Sequence, residues 1–361
     1  MLIISSERFA DHVTPPGHPE SPERNAVLET AAATVKRVAA EGFPLPSASA
    51  TPLKATVEVG EPVPATREQL LRVHRASHVD AIEATRGKVS MIDADTYTSP
   101  DTADVALLAA GAAVQAVAAV LDGAHRTAAA LVRPPGHHAE SARATGFCFY
   151  SNVAVAAAHA RAGGLSRVAI VDYDVHHGNG TQEIFYDDPA VLYVSTHQYP
   201  FYPGTGAASE TGSGAGKGFT VNVPMEAGAT DGDYLEVFDQ VVVPVLREFK
   251  PELMLISAGF DAHEADPLAQ MRMTAAGLAR VTAELRMASI DACGGRVVLV
   301  TEGGYALKAL NESLTGALLA LLFDREGAVA HGSATPLREA TGRGQRAIAA
   351  VRAAHGAHWT L

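Results

Sequence analysis

The residues best suited to chemistry stand at the ends of short apolar runs. Ala128–Val132 leads into Arg133-Pro134-Pro135-Gly136-His137-His138, and Val168–Asp172 into Tyr173-Asp174-Val175-His176-His177-Gly178-Asn179-Gly180. Leu253–Ser257 leads into Ala258-Gly259-Phe260-Asp261, and Val297–Thr301 into Glu302-Gly303-Gly304-Tyr305. Asp172, Asp174 and His176 are spaced by two, so extended backbone turns their side chains to one face. Carboxylate and imidazole placed in this way can grip one divalent ion, and Asp261 from another run can close the set with a position left open. Three protein ligands plus water is the pattern of a catalytic zinc; structural zinc sites are closed by four, usually with thiolates. Neither Cys148 nor Cys293 has a metal-site spacing. Any one of these acids alone reads better as a cap or turn residue, but the gathering of all three with His176 at strand ends is hard to obtain from packing alone. The tandem His137-His138 suits general acid–base work: a metal-bound water needs a base, and a leaving amine needs an acid. Adjacent imidazoles with different hydrogen bonds can hold different protonation states. Behind Gly303-Gly304, the Tyr305 phenol can donate to a developing oxyanion.

These runs need a scaffold that brings their ends together. Val191–Ser195 and Phe219–Val223 are further strand candidates, and the strands alternate with helical segments. Continuous apolar runs suit strands covered on both faces. The expected fold is therefore α/β, a predominantly parallel sheet with helices on both faces and ligands outside the carboxyl ends of its strands. Thr66 with Gln69 predicts a capping box, Ser21-Pro22 a helix start, and Asp231–Phe249 has helical periodicity. Val105–Leu121 is apolar enough to suggest a membrane span, but it is mostly Ala and interrupted by Gln115, which predicts a buried core helix. The Pro-rich stretch Phe43–Pro64 reads as a long surface loop within one domain spanning 1–361. The tail Ala328–Leu361 carries no legible motif.

Composition narrows the function. The chain has 361 residues, 47% hydrophobic and 19% charged, which is enough apolar material for one large core. With 28 Lys+Arg against 40 Asp+Glu the formal charge is −12, the wrong sign for a phosphate-binding face, so no nucleic-acid partner is expected. No signal segment is legible in Met1–Ser6, and the expectation is a cytoplasmic protein with no membrane partner. Gly212–Gly218 imitates a phosphate loop, but Thr211 and Gly218 stand where that motif requires Gly and Ser or Thr. Cys148 reads as a packed thiol.

Taken together these residues resemble the histone deacetylase superfamily of zinc-dependent amidohydrolases, in its class II branch with bacterial relatives. The resemblance rests on Gly17-His18-Pro19-Glu20, Arg133–Ala139, Gly146-Phe147-Cys148, Asp172–Gln182, Pro203-Gly204-Thr205-Gly206, Asn222-Val223-Pro224, Gly259-Phe260-Asp261, Asp266-Pro267-Leu268 and Glu302–Tyr305, in the family's order over roughly residues 1–325. It implies a single arginase-like α/β domain and one Zn²⁺ held by Asp174, His176 and Asp261. It implies His138 as the base that becomes the acid, His137 as its electrostatic partner, Asp172 as the carboxylate behind His137, and Tyr305 as the oxyanion donor. Gly146, Phe147, Tyr202 and Leu268 match the walls of an acyl-lysine tunnel; Tyr202 replaces the Phe of many relatives. Asp172, Asp174, His176, Ser195 and Thr196 match an inner potassium site, and Phe185, Asp188, Val191 and Phe219 an outer one. Asn179 stands where another branch has Asp, and a neutral amide raises the His138 pKa less than a carboxylate. Leu268 stands where polyamine-selective relatives place Glu.

The expected function is a zinc-dependent deacylase acting on Nε-acyl-lysine or a similar acylated amine, with a homo-oligomer among the expected states of the chain. The nearest alternative is the same chemistry on acetylpolyamines or xenobiotic amides and esters. An arginase-like two-metal site is opposed by Asn179 and the tandem histidines. A non-catalytic acyl-lysine reader is opposed by the complete set of ligands, base and Tyr. The Gly42–Pro64 and Asp93–Asp101 segments are expected at the entrance rim, where Asp93 and Asp95 can meet a cationic substrate.

Overall fold

The computed structural model describes residues 1–42, 54–323 and 336–361. Among the described residues ten strands are formed: β1 (Leu2–Ile4), β2 (Glu58–Gly60), β3 (Ser90–Met91), β4 (Tyr97–Thr98), β5 (Thr127–Ala130), β6 (Val168–Asp172), β7 (Val191–Gln198), β8 (Thr220–Met225), β9 (Leu253–Ala258) and β10 (Val297–Thr301). Eight of them make one open sheet in the order β2-β1-β5-β10-β9-β6-β7-β8, parallel throughout, and β3 and β4 pair as a separate antiparallel hairpin. The four strands whose ends carry the chemistry, β5, β10, β9 and β6, are consecutive at the centre of this sheet, although they are far apart in sequence.

Side chains alternate between two apolar layers, as strand geometry requires. Ala129, Ala169, Val171, Leu192, Ile256 and Leu299 face one core, against helices Glu23–Glu41, Ala275–Cys293 and Leu307–Leu322. Ala128, Ala130, Ile170, Leu255, Val298 and Val300 face the other, against helices Thr102–Leu121 and Asn152–Ala162. Burial on both faces is why these strands read as unbroken apolar runs. Thr102–Leu121 is long and apolar enough to cross a membrane, but 67% of its apolar window is buried inside the protein. It is a core helix, as its Ala-rich sequence predicts.

The capping box at Thr66–Gln69 forms, and helix Glu23–Glu41 begins just after Ser21-Pro22. The helical stretch from Asp231 to Phe249 forms with a π turn at Phe238–Val242 inside it.

Two expectations need amendment. Part of the stretch read as a loop, Glu58–Gly60, is the edge strand β2, while residues 43–53 lie outside those described. The tail is not featureless beyond residue 335. Helix Arg343–His355 packs Ala347, Ile348 and Val351 into the first core, with Trp359 behind it. The tail is pinned by acids at the start of helix Asp231–Val237. Asp233 Oδ1 accepts the N–H groups of Thr341 (2.9 Å) and Gly344 (3.1 Å), and Asp231 Oδ2 accepts that of Arg338 (3.0 Å).

Candidate active site

Where the central strands end, the chain turns tightly and the side chains converge. Asp172 is the last residue of β6; Asp174 and His176 follow in the loop, with Asp261 just beyond β9. Asp174, His176 and Asp261 each present a ligand atom, all within 4.8 Å of one another, and all three residues are buried. His176 Nδ1 lies 3.2 Å from Asp174 Oδ1 and 3.2 Å from Asp261 Oδ2. Backbone donors aim the carboxylates: Gly303 N–H to Asp174 Oδ2 (2.8 Å), Val175 N–H to Asp261 Oδ1 (2.9 Å) and Asp174 N–H to Asp172 Oδ1 (3.1 Å). Gly303 has to be glycine, because a Cβ there would collide with Oδ2 of both Asp174 and Asp261. Two buried carboxylates and an imidazole converging on one point fit a divalent ion that prefers nitrogen and oxygen donors.

Burial penalises the charge on His176, but the Asp174 and Asp261 carboxylates outweigh it and push its pKa up to about 10. Burial and the Asp174 charge raise the Asp261 pKa; burial works the same way on Asp174, but there the His137 and His176 charges win and lower it. The His176 ring thus lies between two acids at the point where a cation can sit.

The tandem histidines stand beside this cluster with ring centroids 4.1 Å apart. His137 Nδ1 meets Asp172 Oδ2 at 3.0 Å, and the same oxygen accepts Tyr193 Oη–H at 3.0 Å. Burial opposes a charge on His137, but Asp172 and Asp174 raise its pKa to about 10. His138 goes the other way. Burial, then the positive charges of His137 and His176, hold it well below the usual imidazole range. Its Nδ1 lies 2.8 Å from Asn179 Oδ1, and Asn179 Nδ2 donates to Glu140 Oε1 at 2.8 Å. A carboxylate only accepts, so Glu140 turns the amide oxygen toward His138. His138 must then carry its proton on Nδ1 and leave Nε2 as a free acceptor.

A cavity of about 200 Å³ reaches this floor. Asp95, His138, Gly146, Phe147, His176, Phe201, Tyr202, Leu268 and Tyr305 line it. Phe147 has a φ of +69°, a conformation L side chains adopt at a cost, and its ring meets that of Tyr305 edge-on at 5.8 Å. Gly146 before it has a φ of +57° and passes so close to the His138 ring that a Cβ would clash. Tyr202 is 40% exposed at the mouth and meets the His138 ring at 5.2 Å. Burial raises the Tyr305 pKa well above the usual phenol value, against the pull of the Arg24 charge, so its hydroxyl keeps its proton.

The predicted site residues His137, His138, Asp172, Asp174, His176, Asn179 and Asp261 thus come together, and Gly146, Phe147, Tyr202, Leu268 and Tyr305 wall the adjoining cavity. Asp95 lies at the rim, but no residue of 54–64 lines the cavity. Ser195 is paired with Asp172 across β6 and β7, with Thr196 next to it. Phe185, Asp188 and Val191 form the turn entering β7 and Phe219 the approach to β8, at the other end of those strands. Cys148 is buried with Sγ–H directed at Gly146 O (3.2 Å), a packed thiol as expected.

Three features were not assigned from sequence. Phe201 stacks on His176 at 5.5 Å and belongs to no motif. Glu20, Arg24 and Arg133 form a fully buried ion network behind Tyr305, with Arg133 forked onto Glu20 at 2.6 and 2.8 Å and the Arg24 guanidinium 5.1 Å from the Tyr305 ring. Glu302, present only as part of a motif, is buried and hydrogen-bonded to the His137 turn. Its run of apolar residues followed by a buried acid is the one signal that marks it.

A family model described as Histone deacetylase domain matches residues 18–321. A probable deacetylase of Archaeoglobus fulgidus is 40% identical over 306 residues, 85% of this chain and 81% of that protein. Histone deacetylase 15 of Arabidopsis thaliana is 43% identical over 84% of this chain and 53% of its own length, and a polyamine deacetylase of Homo sapiens is 43% identical over 82% and 45%. This chain therefore spans about half the length of the plant and human relatives. The crystal structure of the HDA15 HD domain superposes with a TM-score of 0.86 at 37% identity, covering 99% of this chain and 94% of that one. The sheet is that of the arginase/deacetylase fold, and the chain belongs to the histone deacetylase family.

Proposed function

We propose that this protein is a zinc-dependent deacylase that hydrolyses the amide of an Nε-acyl-lysine or a similar acylated amine. The observation that carries the reading is that His138 and Tyr305 line the same cavity as His176 of the Asp–His–Asp cluster. Asp174, His176 and Asp261 would hold the zinc, which when bound supplies Lewis acidity to a carbonyl and acidifies a water. His138 Nε2 accepts the proton from the attacking water and returns one to the departing amine. His137, held charged by Asp172, keeps His138 from protonating prematurely. Tyr305 Oη donates to the acyl oxygen as it becomes an oxyanion. Phe147, Tyr202 and Leu268 confine the aliphatic stem of the substrate. The inner residues Asp172, Asp174, His176, Ser195 and Thr196 and the outer residues Phe185, Asp188, Val191 and Phe219 would hold potassium ions.

The test is turnover of fluorogenic acetyl-lysine and trifluoroacetyl-lysine before chelation, after it, and after zinc is restored. Activity should vanish and return, and His138→Ala and Tyr305→Phe should each lose about 10²-fold or more with zinc still bound. Full turnover by either variant would refute the assignment. Asp95 at the cavity mouth supports a second reading, in which the amine is a small polycation; acetylated polyamines tested beside acetyl-lysine peptides separate the two.

A further inference from the structure

The acid–base turn and the oxyanion loop come from strands β5 and β10, and one side chain ties them together. Glu302 is the first residue after β10 and is fully buried. Its Oε2 accepts two backbone N–H groups of the turn after β5, from Gly136 at 2.6 Å and His137 at 3.1 Å. Its Oε1 accepts Ser257 Oγ–H from β9 at 2.7 Å. Its main chain is fixed as well: its N–H donates to Ala258 O (2.9 Å) and its carbonyl accepts Arg24 Nη2 (2.6 Å). The next residue, Gly303, donates to the ligand Asp174, and Tyr305 follows two residues later. Without Glu302, the Gly136 and His137 N–H groups would be buried donors in a strandless turn with no partner shown, and buried polar groups left unpaired are costly.

We propose that Glu302 is a positioning residue for the reaction: by accepting both amides it sets the His137–His138 turn at a fixed distance from the loop that carries Tyr305. The inference rests on the deacylase reading. Its requirement is for an acceptor oxygen of the right reach, so glutamine should serve and alanine should not. Glu302→Gln keeps the volume, can direct its oxygen to the two amides and can direct its NH₂ to Ser257 Oγ. Glu302→Ala leaves space that water can enter, so the amides are solvated and the turn loosens.

The experiment compares the zinc-loaded full chain with both variants by steady-state kinetics and by hydrogen–deuterium exchange of the 133–140 peptide. Expected for Glu302→Ala is a fall in kcat of about 10- to 100-fold with KM within about twofold, as for a displaced catalytic group, and amide exchange in that peptide faster by about tenfold or more. Glu302→Gln should stay within about threefold of the parent in kcat and unchanged in exchange. An alanine variant with normal kcat and normal exchange would overturn the proposal. So would a glutamine variant as impaired as alanine, which would assign the effect to charge. Should Glu302→Ala not fold, Glu302→Asp keeps the charge but withdraws the carboxylate oxygens by one methylene; it should raise exchange in 133–140 and lower kcat, and no change in either overturns the idea. If the parent chain turns over neither acyl-lysine nor acetylated polyamines, the deacylase reading fails, and the exchange comparison alone decides on Glu302.

Discussion

Asn179→Asp is the sharpest single change available at the site, because it alters one charge and almost no volume. Asn179 Oδ1 lies 2.8 Å from His138 Nδ1, which places a new carboxylate about 4 Å from the imidazole charge centre. At an effective dielectric of about 20 such a pair interacts with about 4 kcal/mol, or about three pH units as an upper limit. The full effect is not expected, since Glu140 Oε1 faces the same position at 2.8 Å and would share a proton with the new acid. The other charges facing His138, those of His137, His176 and Asp174, are unchanged by the substitution. The expected shift is about one to two pH units. The sign follows from the role of base: His138 works when neutral, so kcat/KM falls as pH drops through its pKa, and raising that pKa moves the fall to higher pH. The variant's acid limb should lie about one to two pH units above the parent's, and the two should converge at higher pH. The assay is kcat/KM on trifluoroacetyl-lysine, carried down in pH until both acid limbs are seen. An acid limb that stays in place or moves down would refute the pairing of Asn179 with the catalytic base.

Metal affinity should rise with pH, since His176 must lose a proton held up to about 10 and Asp261 one held above the ordinary carboxylate range. Competition with a zinc-binding dye at several pH values measures it, and a pH-independent affinity would contradict the raised His176 and Asp261 pKa values. Leu268→Glu adds a second carboxylate to the cavity that Asp95 already lines, worth about 1 kcal/mol for a cation in contact. The ratio of kcat/KM for acetylputrescine over an acetyl-lysine peptide should rise about fivefold, and an unchanged ratio would place Leu268 away from the amine. Trp359 is 9% exposed, meets Phe219 and Phe249 edge-on and donates Nε1–H to Gly218 O at 2.8 Å. Trp359→Ala should cost about 3 kcal/mol in urea unfolding; a loss under 1 kcal/mol, about the size of a surface change, would show the tail to be dispensable to the core.

What sequence discloses here follows the physics of each region. The central strands are legible because both faces are covered, which leaves nothing but apolar residues until the strand ends and polar ones begin. β1 and β2 are three residues each, too short for a pattern, and the edge strand Glu58-Val59-Gly60 is largely exposed. The tail does hold a helical stripe, with Gly344, Ala347, Ile348, Val351 and His355 buried. Alanine and glycine make that stripe faint against its Arg-rich outer face. Phe201 enters the cavity from a loop, where no period exists to be read.

The network of Glu20, Arg24 and Arg133 is hidden for a different reason. Glu20 and Arg24, four apart beside a helix start, have the spacing of an exposed ion pair, and charged residues are seldom fully buried. Burial is sustainable here because partners surround every charge. Glu20 meets both guanidiniums, Arg133 also donates to Phe9 O, and Arg24 to the carbonyls of Glu302 and Gly304. One glutamate between two arginines leaves an excess positive charge, set behind Tyr305 and felt by the buried acid Asp261. A three-carboxylate site with Asp172 would repel itself if nothing balanced it. The Arg24 guanidinium adds to the balance struck by the His137 and His176 charges, while its bonds to the Glu302 and Gly304 carbonyls hold the loop that delivers Tyr305. The motif residue Glu20 is therefore retained for what it does to an arginine, and the arginine for what it does to the loop, a chain of cause that only three-dimensional proximity reveals.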